Sequence, residues 1–305
     1  MVNFLRGLVS QRRFWQWTGQ ALGVAGVGLL IYFLGQNLAF NLDQLGLQPS
    51  FSFLQYQAGF AIGETVIPYR PTQSYWWALF VGFVNSLRVI GAGLVLATLL
   101  GLVAGIARLS SNWLLRQIAL VYVELLRNMP LLLQLLFWYF GVFLSSTAAG
   151  QSFLGFALNQ QGMTLPGGIH LSPEFSALWL GLSVYTGTFI AEIIRGGIQS
   201  VPKGQSEAAQ SLGLTPTQTL WLVILPQALR SIVPPLGNQY LNLAKNSSLA
   251  IAVGYPDLYA VASTTYNQTG RALEVMLLLM VTYLSLSLII SLAMNLYNRS
   301  QLKHQ

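Results

Sequence analysis

An all-α integral membrane protein with about six transmembrane helices is the fold class this sequence predicts, on three observations. Of its 305 residues, 54% are hydrophobic and 8% charged, and only eight carry a side-chain carboxylate, too few to cover a water-facing surface. Apolar runs of about 20 residues, enough to cross a bilayer, recur along the chain. Between these runs Lys and Arg collect on every second loop.

The first run, "ALGVAGVGLLIYFLGQNLAF" at 21–40, follows a tail, 1–20, that holds Arg6, Arg12 and Arg13. No small-x-small cleavage site follows it, so a retained helix is expected rather than a removed leader. An outer segment, 41–78, leads into a core at 79–300. The second run, 89–107, has Arg88 at its outer edge and Arg108 at its inner edge. Runs near 117–145, 175–199, 229–253 and 275–297 complete the set, and 301–305 is a short tail.

Orientation follows from charge, because loops rich in Lys and Arg stay in the cytoplasm. Arg6, Arg12 and Arg13, then Arg108 and Arg116, then Lys203, then Arg299 and Lys303 fall on alternate loops. The opposite loops, 41–78, 146–174 and 254–272, hold only Arg70 and Arg271. Both termini are therefore expected in the cytoplasm, with the chain crossing a plasma (inner) membrane.

Several functions are excluded by composition. With no cysteine and only His170 and His304, thiol chemistry, disulfides and His-based metal sites are not expected. The formal charge of +7 is scattered among apolar runs and forms no basic stripe for nucleic acid. A phosphate loop of the G-x(4)-G-K-[ST] form is missing, so any ATP hydrolysis would belong to another chain. Neither an enzyme nor a cofactor is expected.

The stretch "KGQSEAAQSLGLTPTQTLWLVILPQA", 203–228, is the polar exception, set between the fourth and fifth runs on the cytoplasmic side. "SEAAQSL" is rich in helix formers, and Gly213 stands where a left-handed residue ends a helix. Thr215 reads as an N-cap, Pro216 as the first helical residue and Gln218 as the third position of a capping box. Two short helices meeting at a bend are predicted.

Glu207, Ala208, Ala209, Gly213 and the "VILP" that ends at Pro226 resemble the EAA motif of ABC importer permeases, E-A-A-x(3)-G-x(9)-I-x-L-P, with Val223 in the Ile position. The stretches "YVELLRNMPLLLQLLFWYFG", "VYTGTFIAEIIRGGIQSVPKGQ" and "ILPQALRSIVPPLGNQYLNLAKNSSLA" are similar to the polar amino-acid branch of that family, over roughly 79–300. The longer N-terminal part is similar to its general, acidic and neutral amino-acid subgroup. The resemblance implies a type I importer permease fold with one extra N-terminal helix. It also implies a coupling loop, with Glu207, Ala208, Ala209, Gly213, Leu214 and Pro226, that docks on an ABC ATPase subunit. The further partners it implies are a second permease chain, a homologue, and a periplasmic amino-acid-binding protein.

Polar groups at membrane depth mark the candidate path. Lys245 lies about 22 Å along a helix from Arg230, past the cytoplasmic interface, and needs a partner from another span or a wet cavity. Glu124 and Arg127 share a helix face before Pro130 breaks it; structural pairing and substrate contact both stay open there. Glu192 and Arg195 read as a local ion pair at a helix end. Asn128, Tyr185, Asn246, Ser247 and Ser248 join Glu124, Arg127 and Lys245 as substrate-path candidates, with no metal site among them. The small positive excess at depth opposes a cationic cargo, and Asn246 stands where the family often has an acid, which leans toward neutral or acidic amino acids. The alternative class is an amino-acid carrier driven by an ion gradient, which would show inverted repeats; none is found.

Overall fold

In a computed structural model of the chain, residues 2–44, 46, 49–146, 151–153 and 156–303 are described; His304 lies outside them. Residues 1–51 and 52–305 form two separate compact units. The first is essentially one helix, α1 (Val2–Gln44). The stretch expected as a 20-residue tail is therefore helical from its start, and only Trp15–Gln44 has the apolar character of a span.

The second unit begins with a short 3-10 turn (Ser52–Gln55), followed by coil whose ends pair at Gln57 and Ser74. Helix α2 (Tyr75–Ala107) starts 14 residues before the apolar run that announced it, because Ser74 caps Trp77 N–H and "YWWALFVGFVNSL" continues the helix outward. α3 (Trp113–Arg127), capped by Asn112, and α4 (Leu131–Leu136), continued by π-helical turns over Phe137–Leu144, are joined by a bend of 107°. Pro130 causes the break, as the sequence requires: it has no N–H for the ladder and starts α4 instead.

Four short strands, β1 (Gln151–Phe153), β2 (Phe156–Asn159), β3 (Gly162–Thr164) and β4 (His170–Leu171), make an antiparallel meander in the loop before α5. This sheet was not anticipated; its strands are too short for an alternation to stand out. His170 is exposed on it. Helix α5 (Pro173–Gln199) starts with Ser172 as N-cap, Pro173 at its first position and Glu174 in its first turn.

α6 (Lys203–Ser211) and α7 (Pro216–Thr219) follow, then π turns at Leu220–Ile224 and α8 (Leu225–Asn246), which ends in 3-10 turns at Ser247–Val253. α9 (Leu258–Thr269), in a stretch read as a loop, and α10 (Ala272–Lys303) complete the unit. Among the described residues five helices suit a membrane crossing by length and composition, or six if the bent pair is one span.

The closest packing is between α2 and α5, and glycine makes it possible. A methyl group on Gly101 would sit 2.4 Å from the Ile190 side chain, and one on Gly105 would sit 2.8 Å from the Ala191 carbonyl. Two small residues four apart thus let the helices meet almost backbone to backbone. α8 packs on the same α2–α5 pair through Ile232, Leu243 and Ala244, beside Ile190 and Ile194. α9 and α10 cover the start of α2 through Leu258, Val261, Val275 and Leu279.

Candidate functional site

The segment 203–228 is built largely from local signals. Gly213 has φ +85°, where a side chain would be strained, and reverses the chain after α6. Thr215 Oγ1 accepts from Gln218 N–H while Gln218 Oε1 accepts from Thr215 N–H, a reciprocal cap. One expectation needs correction: the second helix is not a separate short piece. From Pro216 to Val253 the chain is one continuous helical rod of 38 residues. Pro226 has no N–H to give to the turn before it, and the wide turns at 220–224 absorb that defect without breaking the rod.

On α6, Glu207 and Ala208 are exposed and Ala209 is buried, its carbonyl holding Leu214 N–H at 3.2 Å. Leu212, at the bend, is 84% exposed, and Trp221 and Leu222 are exposed on the rod beyond it. Leu212 on the polar loop and Trp221 and Leu222 at the start of the rod are thus exposed large apolar side chains within 15 residues of Glu207 in sequence. Leu212 was not singled out from the sequence; a large apolar residue next to the bend glycine was the signal available.

A second cluster joins the ends of three helices. Arg108, at the end of α2, is bonded to Glu192 of α5 and lies 3.8 Å from Glu124 of α3. Glu124 in turn is 3.8 Å from Arg127, and Glu192 is 2.9 Å from Arg195, which also donates to Gln199. Glu192 and Arg195 pair as their spacing predicts, Glu124 and Arg127 share one helix face, and Arg108 links the two into one network that no spacing in the chain reveals.

Asn128 Nδ2 donates to the Glu124 carbonyl at 2.6 Å, closing α3. Gln134, 2% exposed, reaches back from α4 to donate to the carbonyls of Leu126 and Met129 across the bend, and its Oε1 has no partner among the described residues. Tyr122 meets the Val184 carbonyl and Leu135 meets Gly181, so the bend lies alongside the middle of α5. The rings of Tyr185 and Phe189 meet at a tilt of 60°, centroids 5.0 Å apart.

On α8 the residues Ser231, Pro234, Asn238, Asn242 and Lys245 are all exposed, at successive spacings of 3, 4, 4 and 3. They form one exposed stripe, polar except at Pro234. Among the described residues Lys245 joins no ion pair. Ser248 Oγ donates to the Lys245 carbonyl, Ser247 Oγ is buried against the Ala244 carbonyl, and Asn246 is half-buried. Lys245 and Ser248 thus stay together at one end of the stripe, whereas Glu124, Arg127, Asn128 and Tyr185 lie on other helices. No cluster of His, Asp or Glu among the described residues suits a metal ion.

Residues 97–303 match the family of binding-protein-dependent transport system inner membrane components. The chain is 39% identical to the putative amino-acid ABC transporter permease protein YhdX of Escherichia coli strain K12, over 93% of both chains. It is 38% identical to the general L-amino acid transport system permease protein AapQ of Rhizobium johnstonii, over 88% of this chain and 87% of that one. Among solved structures, an amino acid ABC transporter crystallised with histidines shares 30% identity at a TM-score of 0.61, covering 74% of this chain and 95% of its own.

Proposed function

We propose a function for this chain from one premise: it belongs to the family of binding-protein-dependent transport system inner membrane components. It is a permease subunit of an ABC importer for amino acids, a multi-pass inner-membrane transport component and not an enzyme. Such an importer implies an ATPase and a substrate-binding protein. The ion-gradient alternative has no support among the relatives.

In our reading α6 and the bend at Gly213 dock on the ATPase, with Glu207 at the rim of the contact and Leu212 as its apolar anchor. The observation that carries this is the unbroken rod that begins at Pro216 and runs into α8. The helical stretch covers roughly 45 Å from Pro216 to Asn246, with π turns at 220–224 and Pro234 and Pro235 along it, so a push at the bend displaces α8. The stripe from Ser231 to Lys245 rides on that rod, and polar groups at membrane depth face water or a partner, not lipid. The stripe therefore lines the path, shared with a second permease chain, a homologue. Lys245 attracts the carboxylate of the cargo and opposes a second positive charge, which favours neutral and acidic amino acids. Both termini and the loop at 203–215 face the cytoplasm, and residues 52–74 face the periplasm.

Alternating access requires two packings of similar energy, each favoured by a different ligand. ATPase closure favours one through the loop; the loaded binding protein favours the same one from outside. The test is co-purification of the tagged chain in mild detergent, wild type against Glu207→Lys and Leu212→Asp. Wild type is expected to bring an ABC ATPase that both variants lose. Retention of the ATPase by both variants would move the coupling surface elsewhere.

A further inference from the structure

We propose that residues 60–68 form a strap across the outer ends of α2 and α5, fastened by Glu64 to Arg88 and Ser172, and that it unfastens each time the importer opens outward. The orientation rests on the permease reading above.

The fastening is polar and shared among distant parts of the chain. Glu64 accepts from Arg88 of α2 through one carboxylate oxygen and from the Ser172 hydroxyl, the N-cap of α5, through the other. The Arg88 guanidinium also lies 4.0 Å from the centre of the Phe175 ring, a second contact between α2 and α5 at this point. Asn85, fully buried, donates to the Glu64 carbonyl and to the Pro256 carbonyl, both at 2.8 Å, and accepts from Val66 N–H at 3.3 Å. One carboxylate and one amide thus tie the strap to α2, to α5 and to the turn before α9.

Attachment differs along the segment. Ahead of it Phe53 and Ala58 are buried with Tyr75 and Leu79, its first residues Phe60 and Ile62 pack half-buried on the same cluster, and at its other end Trp77 Nε1 donates to the Pro68 carbonyl. In the middle the backbone is neither helix nor strand, and both partners of the ion pair are about a quarter exposed, at 29% and 24%. Beneath Phe60, Ile62 and Gly63 lies a cleft of about 230 Å³, whose far side is Ile251, Gly254 and Pro256. With the start seated by apolar packing and residues 64–66 held by a part-exposed ion pair and hydrogen bonds beside the cleft, the middle can lift while the start stays anchored. Water replaces lost hydrogen bonds, but it cannot replace lost burial.

The natural chain has no cysteine, so a disulfide can be placed without competitors. In the double variant Glu64→Cys with Ser172→Cys, assembled with its ATPase, second permease and binding protein in proteoliposomes, oxidation is expected to lower amino-acid uptake at least about tenfold, and a reductant to restore it. A cross-linked complex that transports at the reduced rate overturns the strap as a moving part. Glu64→Gln gives a second measurement: ATPase activity without binding protein is expected to rise about threefold, and an unchanged rate overturns the proposal. Failure of the cysteine-free parent to transport at all, or to retain an ATPase, would instead count against the permease reading itself.

Discussion

Helices α8 and α10 are both long and both show much of their surface, yet they show opposite chemistry. α10 exposes Met280, Val281, Leu284, Leu288, Ile289, Leu292 and Leu296. α8 exposes Ser231, Pro234, Asn238, Asn242 and Lys245 and carries two prolines inside its length. Exposure in a single membrane chain therefore has two meanings. On α10 large aliphatic side chains dominate, with Ser285 and Asn295 the exposed polar exceptions over residues 280–296, and the neighbour that suits them is lipid; on α8 it is water or protein, since asparagine and lysine side chains are expensive in hydrocarbon.

The contrast is tested most strongly by placing one charge on each helix. Leu288→Arg is expected to cost roughly 2.5–3.5 kcal/mol of insertion and to empty the membrane fraction. Asn238→Arg should leave the membrane level near wild type. Equal loss in both, read by immunoblot of membranes, would mean that α8 faces lipid too.

A smaller effect follows from Arg108, which covers charge by a third route, pairing within the protein. Arg108→Met leaves Glu192 with only Arg195 in a half-buried place, at a cost of about 2 kcal/mol after allowance for solvent access. The apparent Tm of the purified chain should fall by several degrees, and an unchanged Tm would mean that the network adds nothing to stability.

Making α8 resemble α10 is the third test. Lys245→Leu should keep membrane level and ATPase association while lowering uptake about tenfold, and Lys245→Arg should keep part of it. Full uptake by the leucine variant would remove Lys245 from the path.

The mildest effect concerns Asp257, between the two helices. It caps α9 through Ala260 N–H and accepts from Tyr283 of α10. Burial pushes its carboxyl up to about 7, against smaller opposing hydrogen bonds from Ala260, Tyr259 and Tyr283. Folding therefore favours the protonated form: the contribution is complete below about pH 4 and is lost as pH rises through about 7. Between pH 6 and 8 stability should fall by about 1 kcal/mol, and Asp257→Asn should flatten that slope in thermal melts. An equal slope in both proteins would assign it to another group.

Legibility in the sequence followed range. Thr215, Pro216, Gln218 and Gly213 state a helix end and a helix start within six residues, and the structure uses each of them as its chemistry requires. Glu124 with Arg127 and Glu192 with Arg195 are legible for the same reason, since three residues along a helix bring two side chains to one face. The continuity of α8 with α7 is not legible in the sequence, because Pro226 lacks the N–H a regular turn would use and the π turns before it accommodate that.

Composition and local order thus decided the membrane class, the crossings, the position of the loop at 203–228 and its resemblance to a coupling element. These depend on hydropathy, charge and neighbours within a turn. The reach of Arg108 to Glu192, 84 residues away, the meeting of Glu64 with Arg88 and Ser172, and the alignment of the α8 stripe away from its packed face were decided by tertiary structure. Each is a contact whose partners are chosen by how helices pack, and Gly101 against Ile190 shows how closely that packing had to be met before the charges could find one another.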